Sequence, residues 1–260
     1  MANSAKKVAI VTGGTQGLGE ATARRLVDEA LVHGLVICGR TVENGQRLAR
    51  EFSERDCRTE YVQADLASVD ECRRVIETAR RAFDRIDMLV NSAASSERGT
   101  ILDTTPELFD RLMAINVRAP FFLMQGAIKI MIERGIAGSI LNIISVSSHG
   151  GQPFLSAYST SKGALATLTK NVARSVLPHR IRVNGLNLGW MDSPGEHAIQ
   201  KRFHAASDDW LEKAEKEQPF GRLIKPAEVA EFAAFLLSER SGLMTGSLID
   251  FDQNVIGTQA

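Results

Sequence analysis

The chain has 260 residues, and 31 Lys plus Arg balance 31 Asp plus Glu, so it carries no formal net charge. A nucleic acid or an anionic membrane as main partner needs a basic excess, which is absent. Hydrophobic residues make up 44% and charged residues 24%, as in an ordinary globular chain. No apolar run approaches the roughly 18 residues of a membrane span. The opening Met1-Ala2-Asn3-Ser4-Ala5-Lys6-Lys7 lacks the apolar core of a secretory signal. Cys38, Cys57 and Cys72 lack CxxC spacing, which argues against a disulfide framework or zinc ribbon. The expectation is a reduced, cytoplasmic, soluble enzyme or binding protein.

In chain order, Val8-Ala9-Ile10-Val11 is a short apolar run that reads as a buried strand. Gly13 to Gly19 punctuate it, and a helical pattern follows at Ala21, Leu26, Val27 and Ala30. Leu35–Cys38 is the next strand, and Glu43–Arg50 opens a polar-faced helix. Tyr61-Val62 lies in a third strand, before a helix over about Val69–Phe83. Ile86–Val90 is the fourth strand, followed by a long helix over about Glu107–Arg134. Then come a strand at Ser139–Ile144, a helix over about Ala157–Leu177 and a strand at Ile181–Asn184. A helix at Pro226–Ser238 and a strand at Ser247–Asp250 close the series.

Strands alternating with helices predict an α/β fold, a single Rossmann-type doubly wound parallel sheet of about seven strands with helices on both faces. Continuous apolar strands agree, since such strands are buried on both faces. No Pro/Gly/Ser linker interrupts residues 1–260, so one domain is expected. The polar stretch from Gly189 to Gly221 breaks the alternation, holds Trp190 and Trp210, and reads as a helical substrate lid.

Two motifs carry chemistry. After the first strand, Gly13, Gly17 and Gly19 open directly into a helix. Backbone without Cβ lets amides approach a pyrophosphate, and the helix N-terminus offers unpaired N–H groups. The pattern alone is weak, but its position makes it a nucleotide-binding signal. The second motif is Tyr158 with Lys162 four residues on, which share a helix face. A cation beside a phenol favours phenolate, as a general acid or base requires. Ser145 ends the preceding strand, where a parallel α/β sheet places its ligands; Ser147 and Ser148 are rivals for its role.

Taken together, Thr12-Gly13-xxx-Gly17-Leu18-Gly19, Asp65-Leu66, Asn91-Ser92-Ala93-Ala94, Asn116, Ser145, Tyr158-xxx-Lys162 and Gly189-Trp190-Met191-Asp192-Ser193 resemble the short-chain dehydrogenase/reductase enzymes along nearly the whole chain. The resemblance implies an oxidoreductase that moves hydride between a nicotinamide cofactor and a secondary alcohol or ketone. Asn116, Ser145, Tyr158 and Lys162 would be catalytic: Tyr158 exchanges the proton, Lys162 lowers its pKa and binds the nicotinamide ribose, Ser145 holds the substrate oxygen, and Asn116 anchors a water in a relay to Lys162. Cofactor binding would fall to Thr12, Gly13, Thr15, Gln16, Gly17, Leu18, Gly19, Arg40, Asp65, Leu66, Asn91, Ala93, Tyr158, Lys162, Gly189, Met191 and Ser193. Within that set Asp65 would contact the adenine, and Ser193 the carboxamide or phosphates. A homotetramer is implied, joined through the Glu107–Arg134 and Ala157–Leu177 helices. Phe109, Leu112, Met113, Phe121, Leu165, Leu168 and Val172 offer apolar faces for it. Three positions depart from the family pattern: Ala94 replaces a Gly, Leu188 a Pro, and Asp250–Val255 an Asp-Gly-Gly ending.

NADP is favoured over NAD. A carboxylate at the end of the second strand would repel a 2′-phosphate, yet that position is Gly39. Arg40 follows, and a guanidinium binds phosphate with two parallel hydrogen bonds. Arg24 and Arg25 are placed near it. Gly39→Asp with Arg40→Leu is expected to reverse the preference. Ser96, Ser147, His149, Gln152, Phe154 and Trp190 are candidates for the substrate pocket, and no metal is expected. Ser96, His149, Gln152, Asp192 and Glu196 bias the substrate toward a sugar, polyol or hydroxy-acid derivative. A 3-oxoacyl thioester or other apolar ketone is the alternative. A non-catalytic dinucleotide sensor would have no need of the four catalytic residues together.

Overall fold

The computed structural model describes residues 7–257. Its sheet forms from seven strands: β1 (Val8–Thr12), β2 (Gly34–Gly39), β3 (Arg58–Gln63), β4 (Met88–Asn91), β5 (Ser139–Ile143), β6 (Arg182–Leu188) and β7 (Leu248–Phe251). All pair in parallel, in the order β3-β2-β1-β4-β5-β6-β7. Parallel neighbours need crossovers, and helices supply them. These are α1 (Gly17–Asp28), α2 (Val42–Ser53), α3 (Val69–Phe83), α4 (Pro106–Met113), α5 (Ala119–Glu133), α6 (Ser156–Ser175), α7 (Pro194–His204), α8 (Trp210–Lys216) and α9 (Pro226–Leu237).

Side chains alternate across a strand, so each strand feeds two cores. Ala9 and Val11 pack on one face with Leu26, Phe52, Val229 and Ala233 of α1, α2 and α9. Ile10 points to the other face, with Val75, Leu123 and Met124 of α3 and α5. Arg182 closes the end of α9, donating to the carbonyls of Leu236 and Ser238 at 2.9 Å each, as a cation at a helix C-terminus should.

The structure lengthens β6 to seven residues, where four were expected, because Leu186 and Leu188 continue the buried run opposite Ile249 and Phe251. The long fourth helix is continuous over Pro106–Glu133 but not regular: a π turn at Ala114–Arg118 joins α4 to α5 and carries Asn116. By length and composition alone that helix could cross a membrane, but Arg118, Gln125 and Lys129 interrupt it and much of it is buried against the protein, as in an ordinary core helix. The tetramer faces are revised too. Leu112 and Leu165 are each 1% exposed and belong to the core, whereas Phe109 and Phe121 stay exposed.

Candidate active site

The site begins where β1 and β4 lie side by side. From β1 the chain runs outward to β2, and on the other flank it returns at β4, so the loops after these two strands part. Such switch points are where open α/β sheets bind ligands. Thr12 ties the two loops together. Its Oγ1 accepts from the N–H groups of Ser92 (3.0 Å) and Ala93 (3.1 Å), and donates to the Val90 carbonyl at 3.3 Å. Gly13 has φ +64°, and a Cβ there would lie 3.0 Å from Ala93 Cα. Gly17 has φ +54°, and a Cβ there would lie 3.9 Å from Ser193 and Pro194. A Cβ at Gly19 would overlap the Gly13 carbonyl, so the turn can be this tight only with glycine. Gln16, Gly17 and Leu18 bring the chain into α1, whose N-terminus has no side-chain cap. Its first N–H groups are therefore open to an anion, and the turn fits a pyrophosphate.

Around this turn the expected contacts divide. Arg40 is exposed, and among the described residues no carboxylate or acceptor engages its guanidinium. Arg24 does not join it, because Glu20 and Glu51 hold it between α1 and α2. Arg25 pairs instead with Glu29 at 2.6 Å. Asp65 turns its Oδ1 to the Ala67 N–H (3.1 Å) and lies 3.6 Å from Arg111, while Leu66 enters the core. Asn91 donates to Asn142 Oδ1 at 2.8 Å, and Asn142 to Thr169 at 2.9 Å, joining β4, β5 and α6. A Cβ at Gly39 would collide with Thr15 Oγ1 and lie 2.9 Å from its Cγ2 and 3.2 Å from its Cβ. Two of the three positions on the Thr15 Cβ thus face Gly39, so rotating the side chain cannot clear both. Any side chain at position 39, as in Gly39→Asp, therefore needs Thr15 or the backbone to shift.

Tyr158, Lys162 and Ser145 come together at the same end of the sheet. Ser145 follows β5 and opens a 3-10 turn at Val146–His149, accepting from the Ser147 N–H at 3.1 Å. Ser147 thus serves Ser145 through its backbone. Lys162, on α6, is 2% exposed and donates to the Ile143 carbonyl at 2.9 Å. Burial disfavours its charge and lowers its pKa from 10.5 to about 8. Its Nζ lies 5.7 Å from the Tyr158 ring centre. The Tyr158 pKa is raised, above all by burial; Ser145 and Arg98 pull it down and Glu196 pushes it up. Lys162 is not among the groups that shift it. Asn116 spends its amide on Ser95 and Ser161. Its Nδ2 donates to the Ser95 carbonyl and to Ser161 Oγ, and its Oδ1 accepts from the Ser95 N–H, each at 2.9 Å.

The Gly189–Gly221 stretch forms α7 and α8, and Met191 bridges to Ile224. Ser193 caps α7, accepting from the Glu196 N–H at 3.2 Å. Trp190 donates to Glu196 Oε1 at 2.9 Å. Arg98, which the sequence reading missed, reaches from the β4 loop toward this lid. It donates to the Ser96 carbonyl at 3.1 Å and lies 5.5 Å over Phe154. His149 turns instead to Asp250 at 2.9 Å and to Asn187 at 3.2 Å, and Gln152 is exposed. Glu196, His197 and His204 contact Trp190, Asp192 and Arg98 respectively, and no metal-holding group exists among the described residues.

Each departure has a local account. Ala94 avoids the left-handed region, so its Cβ is free of strain. Leu188 extends β6 into the core. Asp252 fills the space a side chain at Gly189 would need, and Gln253 binds the Phe220 N–H at 2.9 Å and the Arg222 carbonyl at 2.8 Å. The unusual C-terminal residues anchor the base of the lid.

A family model described as enoyl-(acyl carrier protein) reductase matches residues 13–253. The chain is 35% identical over 251 residues, 96% of each chain, to carbonyl reductase [NADPH] 2 of Sus scrofa. Among solved structures it is similar to L-sorbose reductase of Gluconobacter frateurii complexed with NADPH and L-sorbose, with TM-score 0.90, 29% identity and 97% coverage of both chains. It is also similar to an actinorhodin polyketide ketoreductase with NADPH, with TM-score 0.89, 26% identity and coverage of 97% and 98%. The chain belongs to the short-chain dehydrogenase/reductase family.

The buried lysine gives a stability test. Between about pH 8 and 10.5 the folded chain has lost the Lys162 proton that the unfolded chain still binds. Unfolding free energy therefore rises with pH across that window on account of this group. Relative to Lys162→Met, the wild-type melting temperature should improve between these pH values; a constant gap in calorimetry would refute the depressed pKa.

Proposed function

We propose that this chain is an NADP-dependent oxidoreductase that interconverts a secondary alcohol and a ketone on a small polar substrate. The placement of Tyr158, Lys162 and Ser145 beside the glycine turn carries this reading. A bound nicotinamide would supply or take up the hydride. Gly13, Gly17, Leu18 and Gly19 would hold the pyrophosphate through backbone N–H groups. Lys162 uses one of its three donors on Ile143, which leaves two for ribose hydroxyls. In reduction, the Tyr158 hydroxyl gives its proton to the carbonyl oxygen, and Ser145 donates a hydrogen bond to that same oxygen. The Lys162 ammonium then stabilises the phenolate that remains; oxidation runs these steps in reverse. Asn116 positions the Ser95 loop against α6, and α7 with α8 covers the substrate.

Tyr158→Phe keeps the ring and removes only the proton-transfer group. Turnover of a ketone panel with NADPH should fall about 10²–10⁴-fold, with cofactor binding retained. A variant keeping more than about a tenth of the wild-type rate would overturn the assignment.

The free guanidinium of Arg40 supports NADP, as do the NADPH-named relative and neighbours. A charged pair with phosphate is worth about 1.5–3 kcal/mol, so Arg40→Leu should lower the NADPH-to-NADH ratio of kcat/KM about ten- to a hundredfold. An unchanged ratio would show that Arg40 does not read the phosphate.

Copies of the chain assemble through α4 and α5 in this reading. Phe109 and Phe121 are 41% and 45% exposed there. An open groove of about 670 Å³ lies beside them, between Met113, Val117 and Phe121. A tetramer mass by light scattering is expected, and a one-chain mass at micromolar concentration would exclude it.

A further inference from the structure

We propose that Arg98 and Glu196 form a specificity pair that reads a hydroxyl group next to the reacting carbon, so that the substrate is a neutral hydroxyketone or polyol. This rests on the reading of Tyr158 as the proton-transfer group. Arg98 comes from the loop after β4 and Glu196 from the first turn of α7, so the pair joins two segments far apart in the chain. Their side chains are only 13% and 15% exposed, and Arg98 Nη2 lies 3.6 Å from Glu196 Oε1, an ion pair without a hydrogen bond.

Both groups are held in place by neighbours. Glu196 Oε1 accepts from Trp190 Nε1 at 2.9 Å and from Gln200 Nε2 at 2.8 Å. Arg98 donates through Nη1 to the Ser96 carbonyl at 3.1 Å and through Nε to His204 Nε2 at 3.3 Å. Phe154 carries the guanidinium on its face and meets His204 in a T-shaped contact at 5.2 Å. Glu196 Oε2 and Arg98 Nη2 are left over, without a hydrogen-bond partner among the described residues. Both side chains are mostly buried, yet neither leftover atom is sealed off from the surface, so both are open to a ligand that can take the place of water.

The chemistry of the leftover atoms selects the ligand. One accepts and the other donates, a few ångströms apart, and the pair carries no net charge. A hydroxyl both donates to a carboxylate and accepts from a guanidinium, and it is neutral. A carboxylate on the substrate would meet the Glu196 carboxylate, and an alkyl group would leave both atoms unmatched. The Gly99 N–H, next to Arg98, donates to the Phe154 carbonyl at 2.9 Å, which ties the Arg98 loop to the segment that leads into α6 and Tyr158.

The test compares hydroxyacetone with butanone, which differ by a hydroxyl in place of a methyl. With NADPH the wild type should favour hydroxyacetone in kcat/KM by about ten- to a hundredfold. Glu196→Gln keeps an acceptor oxygen for Trp190 and Gln200 but loses the charge, and should bring the ratio toward one. Arg98→Lys, which keeps the charge but loses the fork, should do the same and serves if the first variant fails to fold. A wild-type ratio near one, or an unchanged ratio in a folded variant, overturns the pair while leaving the proposed function standing. Failure of the wild type to reduce either ketone, or full activity of Tyr158→Phe on both, brings down the proposed function and this inference with it.

Discussion

A lysine ammonium placed almost wholly out of water is the constraint around which this site is built. Lys162 is 2% exposed and has one acceptor among the described residues, the Ile143 carbonyl. Desolvating a cation is expensive, and a single hydrogen bond offsets only part of the cost. The residue persists there because α6 is pinned on several sides. Thr169 bonds Asn142 on β5, and Ser161 bonds Asn116 in the π turn. Those bonds hold the helix in register over the C-terminal ends of the strands, and Tyr158, one turn earlier on α6, goes where Lys162 goes. In the proposed reaction the unused lysine donors are what a cofactor ribose would satisfy, so the cost of burial becomes binding specificity.

The same economy of small polar contacts runs along the sheet edge. Thr12 holds the glycine turn to the β4 loop with one hydroxyl. Asn91, Asn142 and Thr169 continue the chain of bonds from β4 through β5 to α6. On the other flank, the C-terminal residues tie down the lid, since Asp252 packs over Gly189 and Gln253 bonds both Phe220 and Arg222. The turn at residues 189–193 is thus braced from the segment after β7 as well as from its own strand. Asp192 adds to this by accepting from Lys225 at 3.0 Å and facing His197 at 2.8 Å.

The cluster around Arg98 differs in kind from the glycine turn. Backbone geometry shapes the turn, and glycine at a few positions is enough to specify it. The cluster is made by long side chains from distant segments, Arg98 from the β4 loop and Glu196, Gln200 and His204 from α7. Its polarity depends on which of their atoms remain unpaired once the segments meet. That is a property of the packed chain, and small changes in the lid can alter it without disturbing the sheet.

Local pattern was enough for the sheet, the glycine turn and the pairing of Tyr158 with Lys162. Apolar runs such as Val8–Val11 can only be buried strands, glycine at 13, 17 and 19 leaves few backbone options, and residues four apart on a helix share a face. The alternation of strands and helices likewise settled the fold class. What the sequence left open depends on contacts between residues far apart in the chain. Arg24 is taken up by Glu51, Thr15 guards Gly39, His149 turns to Asp250, and burial raises the Tyr158 pKa. Periodicity says which face of an element is apolar, but not which charged side chain another element will bring beside it. Desolvation depends on the whole surrounding volume, so only the tertiary structure decided it.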